Sequence, residues 1–239
     1  MNVFLCSPTT GEQRMESARA FYAASTKHNV RMMVQASSNL AHSFNEMVSC
    51  ALSGMTEPTD VFAMLHSDVA APMGWLDTMI EEMQRAGAEV LSAVVPIKAD
   101  CGETSTAIST GDPYKARRLS FCDLEQLPDT FCANDLVEHG MCNRGYPLLV
   151  NTGCWVADLK APWWNRADPM TGAAYVDFQL TCRRVLREGK WIAETEPEDW
   201  RFSRLVAECG GKVYATTKVP TVHLGSKSWG MLRREKSNG

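Results

Sequence analysis

Apolar and polar positions alternate between two periods along the first 95 residues of the chain. Short apolar runs at Val3–Cys6, Asn29–Gln35, Val61–Leu65 and Glu89–Val95 read as strands. Between them lie stretches with apolar residues at helical spacing: Met15, Ala18, Phe21 and Tyr22 within about Glu12–Thr26; then Leu40, Phe44, Met47, Val48, Ala51 and Leu52; then Leu76, Met79, Ile80 and Met83. Thr9 and Glu12 have capping-box spacing for the first helix, and Ser37-Ser38 stand where a cap for the second is expected. Strand–helix alternation with short connections predicts an α/β fold with a mostly parallel central sheet flanked by helices.

Val61–Ala70 is the centre of this pattern. An apolar run of five residues, apt for a strand covered on both faces, leads straight into His66-Ser67-Asp68. If the chain stayed extended, His66 and Asp68 would point the same way and could present a nitrogen and an oxygen to one cation. Strand ends of this kind are where open α/β sheets bind ligands.

Residues 96–146 are less regular, with Thr104–Thr110 as a strand or an ordered loop. Extended runs follow at Pro147–Val150 and Trp155–Ala157. Two more lie within Phe178–Glu194, with a turn at Glu188-Gly189. A helix then starts near Glu198, Thr195 and Glu198 having capping-box spacing, and ends before Gly210-Gly211; Lys212–Thr216 closes the pattern as a strand.

Composition narrows the class. The 239 residues, 45% hydrophobic and 22% charged, suit one large α/β domain. No apolar run is long enough to span a bilayer, and the N-terminus has no basic region ahead of its apolar stretch, so no membrane partner and a cytoplasmic location are expected. Nine scattered cysteines read as reduced thiols. Cys122, Cys132 and Cys142 recur every ten residues near His139, a spacing open to a zinc site or to packed thiols. Net charge is −4, with local basic clusters at Lys115, Arg117 and Arg118, at Arg183, Arg184 and Arg187, and in the tail after Lys218. There is no Gly-x-Gly-x-x-Gly after the first strand and no phosphate loop, so neither a dinucleotide fold nor a P-loop NTPase is supported.

Several separated pieces together resemble the GT-A fold glycosyltransferases, in particular the small family-2-like enzymes of phage and bacterial genomes. They are Leu5-Cys6-Ser7-Pro8-Thr9, Leu65–Trp75, Asn151-Thr152-Gly153-Cys154, Glu198-Asp199, and His223-Leu224-Gly225. The resemblance implies a single GT-A (Rossmann-like) nucleotide-diphospho-sugar transferase domain over 1–239. Within it, 1–99 would bind the nucleotide-sugar, 100–146 would supply active-site loops, and 147–239 would serve the acceptor and carry the C-terminal metal-ligand loop. It implies transfer from a UDP-sugar to a hydroxyl acceptor, with Mn²⁺ or Mg²⁺ stabilising the leaving diphosphate. Asp68 and His223 would be metal ligands. His66 stands where the family has its first Asp, and is open to a metal role, a ribose contact or neither. Ser7, Pro8, Thr9, Asn45 and Lys98 join His66 and Asp68 as donor-binding candidates. Asp199 matches the general base of inverting members; it would be kept ionised by the helix N-terminus, while Glu198 would act in the chemistry or cap the helix. The acceptor stays open between a hydroxymethylated base of phage DNA, a protein and a glycan. The alternatives are a nucleotidyltransferase making the nucleotide-sugar, against which the Gly-poor first loop counts, and a non-catalytic sugar- or nucleotide-binding module.

Overall fold

The computed structural model describes residues 1–54, 58–226 and 228–230. The elements begin β1 (Asn2–Thr9), α1 (Met15–Tyr22), β2 (Asn29–Ala36), α2 (Leu40–Leu52), β3 (Val61–Leu65), β4 (Val69–Ala70), α3 (Trp75–Ala86) and β5 (Val90–Ala93). The middle of the chain forms β6 (Glu103–Ser109), β7 (Ala116–Ser120), α4 (Phe121–Leu124), β8 (Thr130–Cys132), α5 (Ala133–Glu138), β9 (Leu148–Leu149) and β10 (Cys154–Asp158). The last part adds β11 (Thr181–Arg187), β12 (Lys190–Glu196), α6 (Glu198–Glu208), β13 (Val213–Thr216), β14 (Val222–Leu224) and β15 (Ser228–Gly230).

The central sheet has seven strands in the order β2-β1-β3-β10-β5-β13-β8. β1 pairs in parallel with β2 and β3, and β5 with β13, while β10 lies antiparallel between β3 and β5 and β8 is antiparallel on the edge. The sheet is therefore mostly parallel, as the alternation predicted, but β3 and β5 never touch. Residues 96–146 are more regular than their turn-rich sequence suggested. Thr104–Thr110 falls largely in β6, which pairs with β7 and β9, and β8 joins the main sheet.

Alternation along the strands splits the core in two. Val3 and Leu5 of β1, with Val61, Ala63 and Leu65 of β3, pack under α1 and α3 with Phe21, Trp75, Met79 and Ile80. Phe4 and Cys6, with Phe62 and Met64, face α2 and α6 with Phe44, Met47, Phe202 and Val206. Trp155 of β10 sits amid the rings of Phe62, Phe178 and Phe202, and Phe178 stacks on Phe202 with centroids 4.5 Å apart. These rings fix α6 against the sheet.

Helix starts depart from their predicted caps because the side-chain oxygens found nearer partners. The Thr9 hydroxyl donates to the Glu12 carbonyl and accepts the Gly11 N–H, closing a turn, and α1 begins only at Met15. Asn39, not Ser37 or Ser38, caps α2, accepting the His42 N–H. Thr195 lies in β12, and α6 follows Pro197 with no side-chain cap, so the Thr195–Glu198 capping box does not form.

Candidate functional site

α1 leaves the end of β1 towards one face of the sheet and α2 leaves β2 towards the other. Neighbouring parallel strands whose connections diverge leave a crevice at their carboxyl ends. A cleft of about 330 Å³ opens there. Its walls are Pro8, Thr9, Thr10, Glu12 and Arg14 after β1, Ser37, Ser38 and Leu40 after β2, His66, Ser67 and Asp68 after β3, and Lys98, Leu224 and Gly225. Backbone bonds hold the three His66–Asp68 residues in place. The His66 N–H donates to the Gly153 carbonyl (2.9 Å), the Arg14 N–H to the Ser67 carbonyl (3.2 Å), and the Val69 N–H closes a turn on the His66 carbonyl (3.0 Å). A Cβ on Gly153 would come within 3.1 Å of Asn151 Oδ1 and 3.3 Å of Val69 Cγ2, so a larger residue here would press both side chains aside by a few tenths of an ångström.

Asp68 is the electrostatic centre. Lys98 Nζ lies 2.5 Å from its Oδ2, and His223 Nε2 lies 3.4 Å from the same oxygen. Burial pushes the Asp68 carboxyl up, but the hydrogen bonds from His223 and Lys98 prevail and hold it well below the usual carboxylate range. His223 Nδ1 is 2.8 Å from the Pro96 carbonyl, which can only accept, so Nδ1 carries a proton. Nε2 therefore faces the carboxylate either as the second N–H of an imidazolium or as a lone pair sharing a cation with it. One carboxylate oxygen and one imidazole with its far N–H on a carbonyl fit Mn²⁺ or Mg²⁺, provided that phosphate and water oxygens complete the shell.

His66 does not complete a three-residue metal set with Asp68 and His223. The chain turns at Ser67-Asp68, so the extended-chain alternation does not apply, and the His66 ring packs on Phe44 with centroids 5.3 Å apart. Among the described residues no three His, Cys, Asp or Glu side chains are placed to hold a metal, and this includes the set Cys122, Cys132, His139 and Cys142. Burial pushes His66 down to about 4 against the upward pull of the Asp68 charge, with smaller downward contributions from His223 and Lys98, so the ring is neutral near pH 7. Its Nε2 is buried and has no hydrogen-bond partner.

Asp199 sits in the first turn of α6. Its Oδ1 accepts the Trp200 N–H at 2.8 Å, and the Trp200 indole N–H donates to the Ser105 carbonyl at 3.1 Å. The Arg118 guanidinium lies over the Trp200 ring, 4.9 Å from its centroid. The expectation that the helix start would keep Asp199 ionised is corrected: burial, and then the neighbouring Glu198 charge, push it up to about 7. Asp199 and Glu198 do not line the cleft. They reach its rim through a short chain of contacts. Ser105, under Trp200, bonds the Val95 carbonyl through its N–H and hydroxyl, and the next carbonyl, Pro96, is the one that orients His223.

Five of the seven donor-binding candidates, Pro8, Thr9, His66, Asp68 and Lys98, come together in the cleft. Ser7 and Asn45 are corrected. Ser7 is fully buried in β1. Asn45 clasps the backbone of Phe178, its Nδ2 donating to the carbonyl (2.8 Å) and its Oδ1 accepting the N–H (3.0 Å), because α2 turns this face to the core. Arg14, Ser37 and Ser38 were not among the candidates; their signal was position, just past the ends of β1 and β2. Trp163 and Trp164 are core residues. The described basic clusters are partly neutralised. Arg183 and Arg187 both pair with Glu194, Lys115 with Asp112, and Arg117 with Asp123. Of the tail cluster, Lys227, Arg233, Arg234 and Lys236 lie outside the described residues.

No family model matches the sequence, and no curated protein matches it. Among solved structures, the crystal structure of A197 from STIV is similar, with a TM-score of 0.55 and 12% identity over 100% of both chains. At that identity the likeness is one of fold, an α/β sheet with flanking helices. No helix among the described residues is long and apolar enough to cross a membrane.

Proposed function

We propose that the chain is a metal-assisted glycosyltransferase of GT-A type, moving a sugar from a nucleotide-sugar, with a UDP-sugar as the first donor to test, to a hydroxyl acceptor. One observation carries the reading. Asp68, in the turn after β3, and His223, on β14, approach to 3.4 Å, with His223 oriented by the Pro96 carbonyl, beside a cleft at the carboxyl ends of parallel strands. A divalent cation held by Asp68 and His223 would neutralise charge developing on the leaving diphosphate.

The chain's own groups serve the rest. The loop Pro8–Arg14 and the pair Ser37-Ser38 wall the cleft where a nucleoside would lie, and Arg14 and Lys98 bring positive charge to its phosphates. Gly153 and the turn after β3 hold Asp68 in register. Asp199, outside the lining of the cleft, is the base assigned to an acceptor that sits beyond the rim on the Trp200 side, a task suited to a carboxyl pushed up to about 7. Glu198 acts on the chemistry by raising its neighbour.

The test is nucleotide release from a panel of nucleotide-sugars with Mn²⁺, followed by an acceptor screen spanning glycans, proteins and hydroxymethylated DNA. Sugar transfer frees the nucleoside diphosphate, whereas nucleotidyl transfer frees pyrophosphate. Loss of release in EDTA and in Asp68→Ala and His223→Ala is the expected result. Undiminished release in EDTA would overturn the metal-assisted reading, and no turnover with any donor would favour the binding module.

A further inference from the structure

Lys98 is not an ordinary surface lysine. Its Nζ is 2.5 Å from Asp68 Oδ2, the oxygen that also faces His223. Its stem lies along Gly225, where a Cβ would come 3.5 Å from Lys98 Cδ and 2.9 Å from Trp229 Cζ3. The Trp229 indole N–H in turn donates to Asp100 Oδ1 at 3.1 Å, two residues beyond Lys98. Lys98–Asp100 and the β14–β15 hairpin thus hold each other and lay the ammonium on Asp68. Both side chains stay more than a third exposed, 38% for Lys98 and 37% for Asp68, so the ammonium has room to leave.

An ammonium in contact with a carboxylate oxygen competes with a divalent ion for it, because the two cations repel at contact range. From this geometry we infer that Lys98 is a resident counter-ion of Asp68 which keeps a bare divalent cation out and yields to one that arrives with a diphosphate. The inference rests on the metal–nucleotide reading of the cleft. The diphosphate gives the ammonium a new partner within reach of its flexible stem and gives the ion further oxygens. Cation and diphosphate then bind with positive coupling, each raising the other's affinity by the same factor. The site would release its ion with its product instead of storing it.

The experiment titrates Mn²⁺ into wild type, Lys98→Met, Lys98→Gln and Lys98→Arg, reading free Mn²⁺ by electron paramagnetic resonance, with and without UDP. Melting curves confirm folding; two neutral variants are included so that a folding defect in one does not decide the result. Without UDP, the neutral variants should bind Mn²⁺ about tenfold more tightly than wild type, within the usual span of site–site coupling. Lys98→Arg should resemble wild type. UDP should tighten Mn²⁺ binding in wild type by more than in the neutral variants. Adding Asp68→Ala to Lys98→Met should erase the gain. Equal Mn²⁺ affinity of wild type and both neutral variants without UDP overturns the Lys98 inference, and leaves the metal–nucleotide reading intact if UDP still tightens binding. No Mn²⁺ binding to any of them, with or without UDP, overturns both.

Discussion

Two carboxyl groups of the chain, Asp68 and Asp199, have opposite environments. Asp68, in the turn after β3, is partly buried but faces an ammonium and an imidazole, which hold it ionised far below the ordinary range. Asp199, at the start of α6, has only backbone N–H groups, a distant guanidinium and an acidic neighbour, so burial wins and carries it up to about 7. Burial is the largest single influence on both; whether a cation lies in contact decides the sign. Environments that drive two carboxyls apart in this way divide labour between them. The first suits permanent negative charge and cation binding, the second suits proton transfer near neutrality.

The most severe way to break the contrast is Asp68→Ala. It should reduce nucleotide release to background while leaving the fold intact, as checked by turnover beside a melting curve. Asp199→Asn should come next, lowering turnover by about 10²–10⁴-fold with donor affinity nearly unchanged, as expected of a positioned base. Wild-type turnover should climb with pH through about 7 as Asp199 ionises, and the variant should lose that limb. The same residue affects stability. Its folded-state value is raised from about 3.9 in the unfolded chain, so its stabilising share is present below about pH 4 and lost as pH rises through about 7. The melting temperature of wild type relative to Asp199→Asn should therefore fall as pH rises from about 4 to about 7, the window those two values define, and level off above it. A constant difference would show that Asp199 is not shifted.

Asn45→Ala tests the support beneath the second carboxyl. It strips partners from two backbone groups of Phe178, whose ring stacks on Phe202 of α6, and should cost about 1–3 kcal/mol in a denaturant titration. Donor binding at the Asp68 cleft should not change. The smallest effect belongs to His66. Its value is depressed to about 4 from about 6.5, so the stability it contributes is present above about pH 6.5 and lost as pH falls through about 4. His66→Asn should flatten the acid limb of the melting profile between those values.

How much of this was legible in the sequence depended on range. β3 occupies Val61–Leu65 as its apolar run indicated, and α3 buries the predicted Leu76, Met79, Ile80 and Met83. Such elements are settled by neighbours in sequence. The antiparallel placement of β10 was not legible, because Trp155–Ala157 is buried on both faces and reads like any central strand. Partner choice there is a long-range matter. Caps failed for a local reason that spacing does not encode: Thr9 had a carbonyl within reach and Thr195 was taken up by a strand. The meeting of Asp68 with His223 came through the family resemblance, since 155 positions separate them in the chain. The upward shift of Asp199 escaped because burial is a tertiary property, and Glu198 beside it added to the shift.

The position of β10 also bears on how the chain is made. β3 and β5 are complete by Ala93, yet each waits for Cys154–Asp158 to fill the gap between them. At about 5–20 residues per second, translation of the intervening stretch leaves those strand edges open for roughly 3–13 s. One of them belongs to Val61–Leu65, five apolar residues in a row with no charge to deter a stray strand. Those seconds are when the nascent chain is most open to stray strand pairing. A transcript that slows translation after codon 93 should yield more aggregate than one that slows it after codon 158.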